Sequence, residues 1–411
     1  MAQVTGADAK FVLYEEDIFG QDPSVPDGIL MHLSGMSIKG TRGQTASKIL
    51  PGGTGNRTQK RPTRNKLEVG GGMPTELNAQ TLGFLVKHAM GAVATYRPAD
   101  NATDLITGVT IDHATKACPL GNGTLAFTLT GTTLQWTAQG DTAGTATDVS
   151  AGGTFVLPSG TAGYDLTVTV VPGSLPGANQ SDTINVIAAY KNRFTFAKLP
   201  IGFTMEKDHG PEITGAGRYV RYNGCRINTM SFKLTTDGTE VSVDVLGAKK
   251  APYASALDAT PTDYGHTSFE VGDISVLEEN GTPLAEGADM SITINNSLDG
   301  GQYVLLGGGT RRSIPEGDAG VEVQYSALFE DLDLYNKMIN GTDSKLKAAY
   351  AVGNGLGTVD NESIVFTLDP ISYEEDDTAI EGPGGVVINP KAMAYDGALI
   401  IDIFNTIDHS L

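Results

Sequence analysis

The chain has 411 residues, 52 of them glycine, with one tryptophan, two cysteines and a net charge of −20. That length suits two or three domains, and abundant Gly and Thr favour strands and turns over helix bundles. The acidic balance argues against tight gripping of phosphates, and no apolar run reaches the roughly 18 residues of a membrane span.

The opening "MAQVTGADAKF" has no basic segment followed by an apolar one, so no secretory signal is expected. Cys118 and Cys225 are then expected as free thiols of a protein made in a reducing cytoplasm. Thr41 to Lys66 carries seven basic residues and no acid: Arg42, Lys48, Arg57, Lys60, Arg61, Arg64 and Lys66. Its Gly, Pro and Asn content is that of a long loop. Two readings stay open: a solvated loop, or an arm that docks on an acidic surface of another subunit. Nucleic-acid binding there lacks interleaved aromatics.

"TELNAQTLGFLVKHAMG" predicts a helix over 76–90, opening near Pro74 and Thr75 and stopping at Gly91. His88 reads as a helix-surface residue. From 97 to 190 the composition shifts to Thr, Gly, Ala and Val, with six Asp against one Lys, hence −5 over residues 101–190. Alternating runs broken by Gly and Pro predict an inserted β-sandwich of immunoglobulin-like size. Trp136 is read as its core anchor, with ligand binding as the alternative. "NTMSFKLTTDGTEVSVDVLG" predicts two strands joined at Asp237-Gly238, and "ITINNSLDGGQYVLLG" reads similarly. Residues 251–264 read as a linker. A second helix is predicted over 328–340, ending at Gly341.

The second half repeats the first. Pro200 aligns with Pro370, Phe196 with Phe366, Ile201 with Ile371 and Phe203 with Tyr373. Upstream, Lys87 falls on Lys337 and Gly91 on Gly341; downstream, "VSVDVLG" sits opposite "LIIDIFN". The expected organisation is a first copy at 1–96 plus 191–250, the insert at 97–190, the linker at 251–264 and a second copy at 265–411. Two related domains in one chain favour pseudo-symmetric assembly.

Chemical motifs are sparse. The six His have no metal-ligand spacing, and there is no Gly-x-Ser-x-Gly elbow or phosphate-cradling Gly-Lys-Ser/Thr. "LGGGTRRS" from Leu306 lacks the phosphate-loop Lys and reads as a flexible hairpin loop. Glu374, Glu375, Asp376 and Asp377 form an acidic run, read as a solvated strand end; cation binding is the alternative, but the spacing is not that of a calcium loop. No catalytic, cofactor or metal site is expected.

Several stretches resemble siphophage tail tube proteins. "AKFVLYEEDIFGQDPSVPDG" is similar to the family's opening strand, with an acidic pair before an aromatic-Gly turn. "RYVRYNGCRINTMSFKLTTDGTEVSVDVLGAK", with Tyr222, Gly224, Cys225, Asp237 and Gly238, resembles its central hairpin. "SITINNSLDGGQYVLLGGGTRRSIPEGDAGVEVQYSALFEDLDLYNKMING", with Asn295, Asn296, Pro315, Phe329, Tyr335 and Lys337, and "VFTLDPISYEEDDTAIEGPGG" resemble its second half. Only residues 97–190 depart from that pattern.

The resemblance implies a mainly β fold of sandwich or barrel-like units, each with one flanking helix. Subunits of that family join sheets into a ring whose lumen carries the genome and the tape-measure protein. The tube ends meet tail terminator and distal tail proteins. With two copies per chain, a trimer would give a pseudo-sixfold ring, stacked through the basic loop. Such a protein assembles in the host bacterial cytoplasm, resides in the virion tail, and lets DNA pass without specific binding or membrane contact. An acidic lumen would repel phosphates. The rival readings are a bacterial surface adhesin of β-sandwich modules, which would need an export signal, and a carbohydrate-active enzyme, which would need paired carboxylates in a cleft.

Overall fold

The computed structural model describes residues 6–49, 61–97, 99–100, 106–112, 123–130, 133–138, 144–146, 153–157, 165–170, 180–186, 189–284, 289–306, 308–328, 333–374 and 387–410. Among these the protein is mainly β, with two α-helices: α1, Leu82–Met90, and α2, Asp333–Asn340.

Two antiparallel layers enclose the core. The first runs in the order Lys39–Thr45, Thr63–Thr75, Gly238–Gly247, the second half of Tyr219–Thr235, Met290–Asn295, Gly320–Tyr325, Lys391–Ala394 and the end of Ser363–Tyr373. The second runs Ile274–Glu279, Ser344–Ala351, the first half of Ser363–Tyr373, Leu399–Asn405, Tyr190–Phe196 and Gly91–Arg97. Strict alternation drives this packing. In Gly238–Gly247, Val241, Val243 and Val245 are buried while Glu240 and Asp244 are exposed. Phe232 of the first layer meets Phe366 of the second edge to face, with ring centroids 5.0 Å apart. The first half of Tyr219–Thr235 leaves the first layer and pairs with Phe203–Asp208 and Lys249–Tyr253; Lys10–Glu15 adds to Phe203–Asp208 and Ile29–Met31 to it in turn.

The order hairpin, helix, hairpin occurs twice. Strands 39–45 and 63–75, α1, then strands 91–97 and 190–196 form one series. Strands 290–295 and 320–325, α2, then strands 344–351 and 363–373 form the other. Within 97–190, strand Ile106–Asp112 extends Gly91–Arg97 through Tyr96 and Arg97, and strands 123–130, 133–138, 144–146, 180–186 and 99–100 form a separate five-stranded sheet. Trp136 lies on Thr133–Ala138 with its backbone opposite Phe127; its side chain, like Cys118, lies outside the described residues.

Some local expectations need correction. Helix α1 starts at Leu82, not near 76, because Pro74 and Thr75 are held in a long strand opposite Ser242 and Val241. Asn78 then organises the entry, its Oδ1 accepting from the Thr81 N–H at 2.8 Å and the Thr81 hydroxyl at 2.9 Å. Gly91 stops the helix at φ +103°. His88 is buried rather than on the surface, at 3% exposure. The hairpin loop near Asp237 is Thr236–Asp237, with Gly238 opening the second strand. "ITINNSLDGGQYVLLG" is not a tight hairpin: Met290–Asn295 pairs with Gly320–Tyr325, and Tyr303 makes only an isolated bridge to Arg311. Helix α2 begins at Asp333 and Thr342 N–H closes it on Lys337 O. The segment 251–264 begins inside strand Lys249–Tyr253, and Thr262 bonds to Gly28 and Leu30. Cys225 is free and buried, and burial pushes its thiol up.

Candidate assembly surface

The outward face of the first layer is mostly polar, with Pro74 and the exposed Met393 at the two ends of one row. One register row reads Pro74, Ser242, Ser231, Thr293, Glu322 and Met393. The next reads Glu240, Lys233, Ser291, Gln324 and Lys391, and a third Gly72, Asp244, Thr229, Asn295 and Gly320. Hydroxyls bond across strands, with Ser231 Oγ and Thr293 Oγ1 3.0 Å apart. Glu240, Asp244 and Glu322 face two lysines, and the Lys233–Glu240 pair is loose at 3.8 Å.

One border of this layer is the basic hairpin. Arg61, Arg64 and Lys66 are exposed on or beside strand Thr63–Thr75; Arg57 and Lys60 lie outside the described residues. Lys66 pairs with Glu68 at 2.9 Å and sits 4.2 Å over the Tyr303 ring. Arg42 donates to Gly308 O at 2.6 Å. The other border is the end of Ser363–Tyr373, where Glu374 is exposed and its N–H donates to Lys391 O at 2.8 Å. Glu375, Asp376 and Asp377 lie outside the described residues. Seven strand spacings separate the borders, about 34 Å along the sheet. Among the described candidates, Glu374 is therefore on the opposite side of the layer from Arg61, Arg64 and Lys66.

Buried charge fastens the loops around this layer. Glu16 accepts from Gly224 N–H at 2.7 Å, Gly20 N–H at 2.6 Å and the Thr204 hydroxyl at 2.7 Å. Burial nonetheless raises its carboxyl. Gly224 has φ +64°, and a Cβ there would lie 2.7 Å from Ala248 and 2.9 Å from Phe19. Only glycine brings that backbone to Glu16. Arg221 bonds Glu206 at 2.7 Å and Asp22 at 2.9 Å beneath Tyr253. Burial raises the Glu206 carboxyl more than Arg221 lowers it. A sequence signal for this cluster existed in the acidic pair Glu15-Glu16 before Phe19-Gly20, but its partners lie some two hundred positions away.

Around α1, Lys87 pairs with Glu15 at 2.8 Å, and His88 Nε2 lies 3.6 Å from the same carboxylate. Burial works to raise Glu15, but His88 and Lys87 outweigh it and hold it at about 2. Burial also lowers His88. At the chain's end, burial pushes His409 down to about 4. Among the described residues, no three His, Cys, Asp or Glu are placed to hold a metal ion, and no helix is long and apolar enough to cross a membrane.

A broad β layer with a hydroxyl-rich outward face and a basic hairpin at one border suits a structural protein. The family model for phage tail tube proteins matches residues 6–394. The chain belongs to that family, as a structural component of the virion tail that self-assembles into a tube. No curated protein matches the chain.

Proposed function

We propose that this chain is the tube subunit of a long, non-contractile tail, joining edge to edge into rings that stack around a lumen. The carrying observation is the strand order of the polar layer. Lys39–Thr45, with basic residues beside it, and the end of Ser363–Tyr373, with Glu374, lie seven strands apart, about 34 Å along the sheet, which favours their meeting between copies. A contact between two different surfaces generates rings or filaments, and closing the sheet removes exposed strand edges. The polar rows then line the lumen, where few lysines and several carboxylates let the tape-measure protein and DNA move past.

Two hairpin–helix–hairpin series per chain, each with a lysine reaching a glutamate, support an internal duplication and a trimeric, pseudo-sixfold ring. The basic hairpin stacks rings against acidic surface, including Glu374 to Asp377. Each exposed pair is worth about 0–1 kcal/mol, but repetition around a ring sums to firm stacking. Residues 97–190 follow α1 and project outward as a decoration domain. Tail terminator and distal tail proteins cap the tube, which conducts the genome at ejection.

Negative-stain microscopy of purified protein tests this: rings or tubes are expected, and dispersed globules under all conditions contradict it. Charge reversal at Arg57, Arg61 and Arg64 should leave trimers and abolish tubes. Deleting 99–188 should leave assembly intact.

A further inference from the structure

Leu305 and Leu306 stand in solvent at 99% and 94% exposure. The base of their loop is tied by hydrogen bonds. Val304 N–H bonds Thr310 O at 3.0 Å, and Arg312 N–H bonds Gln302 O at 3.0 Å. Arg311, 8% exposed, reaches through the base of the loop to Gly300 O, Val69 O and Gly247 O at 2.6–2.8 Å. Leu67 N–H and Arg42 hold Gly309 and Gly308 from the side. The two leucines form an apolar knob on a loop whose base is held by hydrogen bonds, which lowers the backbone entropy lost on docking. Arg42, Lys66 and Arg312 lie on or beside the same loop: Arg42 bonds Gly308 O, Lys66 lies beside Gly309 and Arg312 closes the base.

A matching receptor lies elsewhere on the chain. A cavity of about 500 Å³ opens between the 17–29 loop, α1 and the C-terminal segment. Phe84, Tyr264 and Ile407 contribute apolar lining, and Val25 stands 82% exposed beside them. Glu15, Asp17, Asp27 and Asp408 line the same cavity against a single lysine, Lys87. Apolar lining with acidic groups complements an apolar knob with a basic surround, and both surfaces sit on every copy.

We propose that Leu305 and Leu306 of one copy seat in this cavity of a neighbouring copy. The contact rests on the tube reading for its context and adds to it a second, apolar anchor beside the basic hairpin. Knob and cavity are different surfaces, so the contact is heterologous and propagates. A few well-packed, desolvated anchors near the centre of an interface carry most of its binding energy.

The test uses the full chain. Leu305→Asp with Leu306→Asp should melt like wild type, because neither side chain packs on its own subunit, and should raise the protein concentration needed for polymerisation at least tenfold. Leu305→Met with Leu306→Met should polymerise normally. In a Cys118→Ser background, mixing Leu305→Cys and Val25→Cys proteins under mild oxidation should give crosslinked dimers. Pairing Leu305→Cys with Val359→Cys, an exposed control, should not. Wild-type polymerisation by the double aspartate variant would mean the leucines face some other protein and would overturn the proposal, leaving the tube reading intact. Equal crosslinking to Val25 and Val359 would also overturn it. If wild type never polymerises the tube reading fails, and the crosslink alone then decides the knob.

Discussion

The two helices occupy matched places in the chain and meet different surroundings. Lys87 and Lys337 align, and each reaches a glutamate, Glu15 at 2.8 Å and Glu279 at 2.7 Å. His88 and Met338, one residue on, are both 3% exposed. Beyond that the helices part. Val86, Ala89 and Met90 of α1 are 0% exposed, whereas their counterparts Asn336, Ile339 and Asn340 are exposed. Segments from elsewhere in the chain cover α1: Phe203 packs on Phe84 and His88, His409 lies over Gly83, and Asn296 Nδ2 donates to Ala89 O at 3.0 Å. The anchor is thus shared, while α1 is buried along most of its length and α2 buries Met338 but leaves Asn336, Ile339 and Asn340 exposed.

Truncation should separate the two most. Met90→Ala opens a cavity in a filled core and should cost roughly 2–5 kcal/mol. Asn340→Ala removes an exposed side chain and should stay within about 0.5 kcal/mol. Denaturant midpoints measure both. Similar losses would mean α2 is also covered, and the comparison would break.

Removing the lysines should reverse the ranking. Glu279 is 7% exposed and also accepts from Ser344 and from Tyr373, at 3.3 Å for the latter. Lys337→Met leaves that carboxylate buried without its cation, at a cost of about 3 kcal/mol. Glu15 is half exposed, so water replaces Lys87 and Lys87→Met should cost less than about 1 kcal/mol. Equal costs in a paired melt would place the two anchors in equivalent settings.

Acid should act on the α1 side. His409 is held at about 4 by burial, below the usual histidine value, and burial lowers His88 in the same direction. The unfolded chain takes up these protons first, so stability falls as pH drops from about 6.5 towards 4. For His409 alone the loss should be roughly 2 kcal/mol by pH 5. Hydrogen exchange should therefore show α1 amides losing more protection than α2 amides, where Met338 stands in place of His88. His409→Gln should flatten part of the α1 response; an unchanged profile would exonerate that ring.

What was legible in the sequence was local. The stops at Gly91 and Gly341, the turn after Thr235 and the alternation of Gly238–Gly247 need only neighbours. The start of α1 was not legible, because Pro74 and Thr75 answer to a strand more than 160 positions later. His88 was misplaced for the same reason: its covering ring, Phe203, comes from another strand. The basic and acidic groups were visible as composition, but the separation of Glu374 from Arg61, Arg64 and Lys66 follows from strand order. The loop at Leu306 looked flexible because the Arg311 contacts to Val69 and Gly247 are long-range.

The smallest effect tests the covering layer directly. Gly83 lies inside α1, where alanine ordinarily gains about 1 kcal/mol in helix propensity. Here a Cβ would fall 2.3 Å from His409 Nε2 and 2.4 Å from its Cε1. That ring cannot simply swing away: Asn405 Nδ2 donates to its Nε2 at 3.1 Å, and His409 N–H donates to Asn192 Oδ1 at 3.1 Å. Asn192 in turn holds Asn405 and Ile407 O, so moving the ring disturbs a buried, satisfied network. Overpacking of this kind costs about 1–3 kcal/mol, which outweighs the propensity gain. Gly83→Ala should therefore destabilise by about 1 kcal/mol net. Asn336→Ala, on the uncovered helix, should stabilise by a few tenths of a kcal/mol. With His409→Ala in place the clash is gone, and Gly83→Ala should change sign and stabilise. If it destabilises equally in both backgrounds, the ring is not what makes glycine necessary, and the covering layer over α1 must be sought elsewhere.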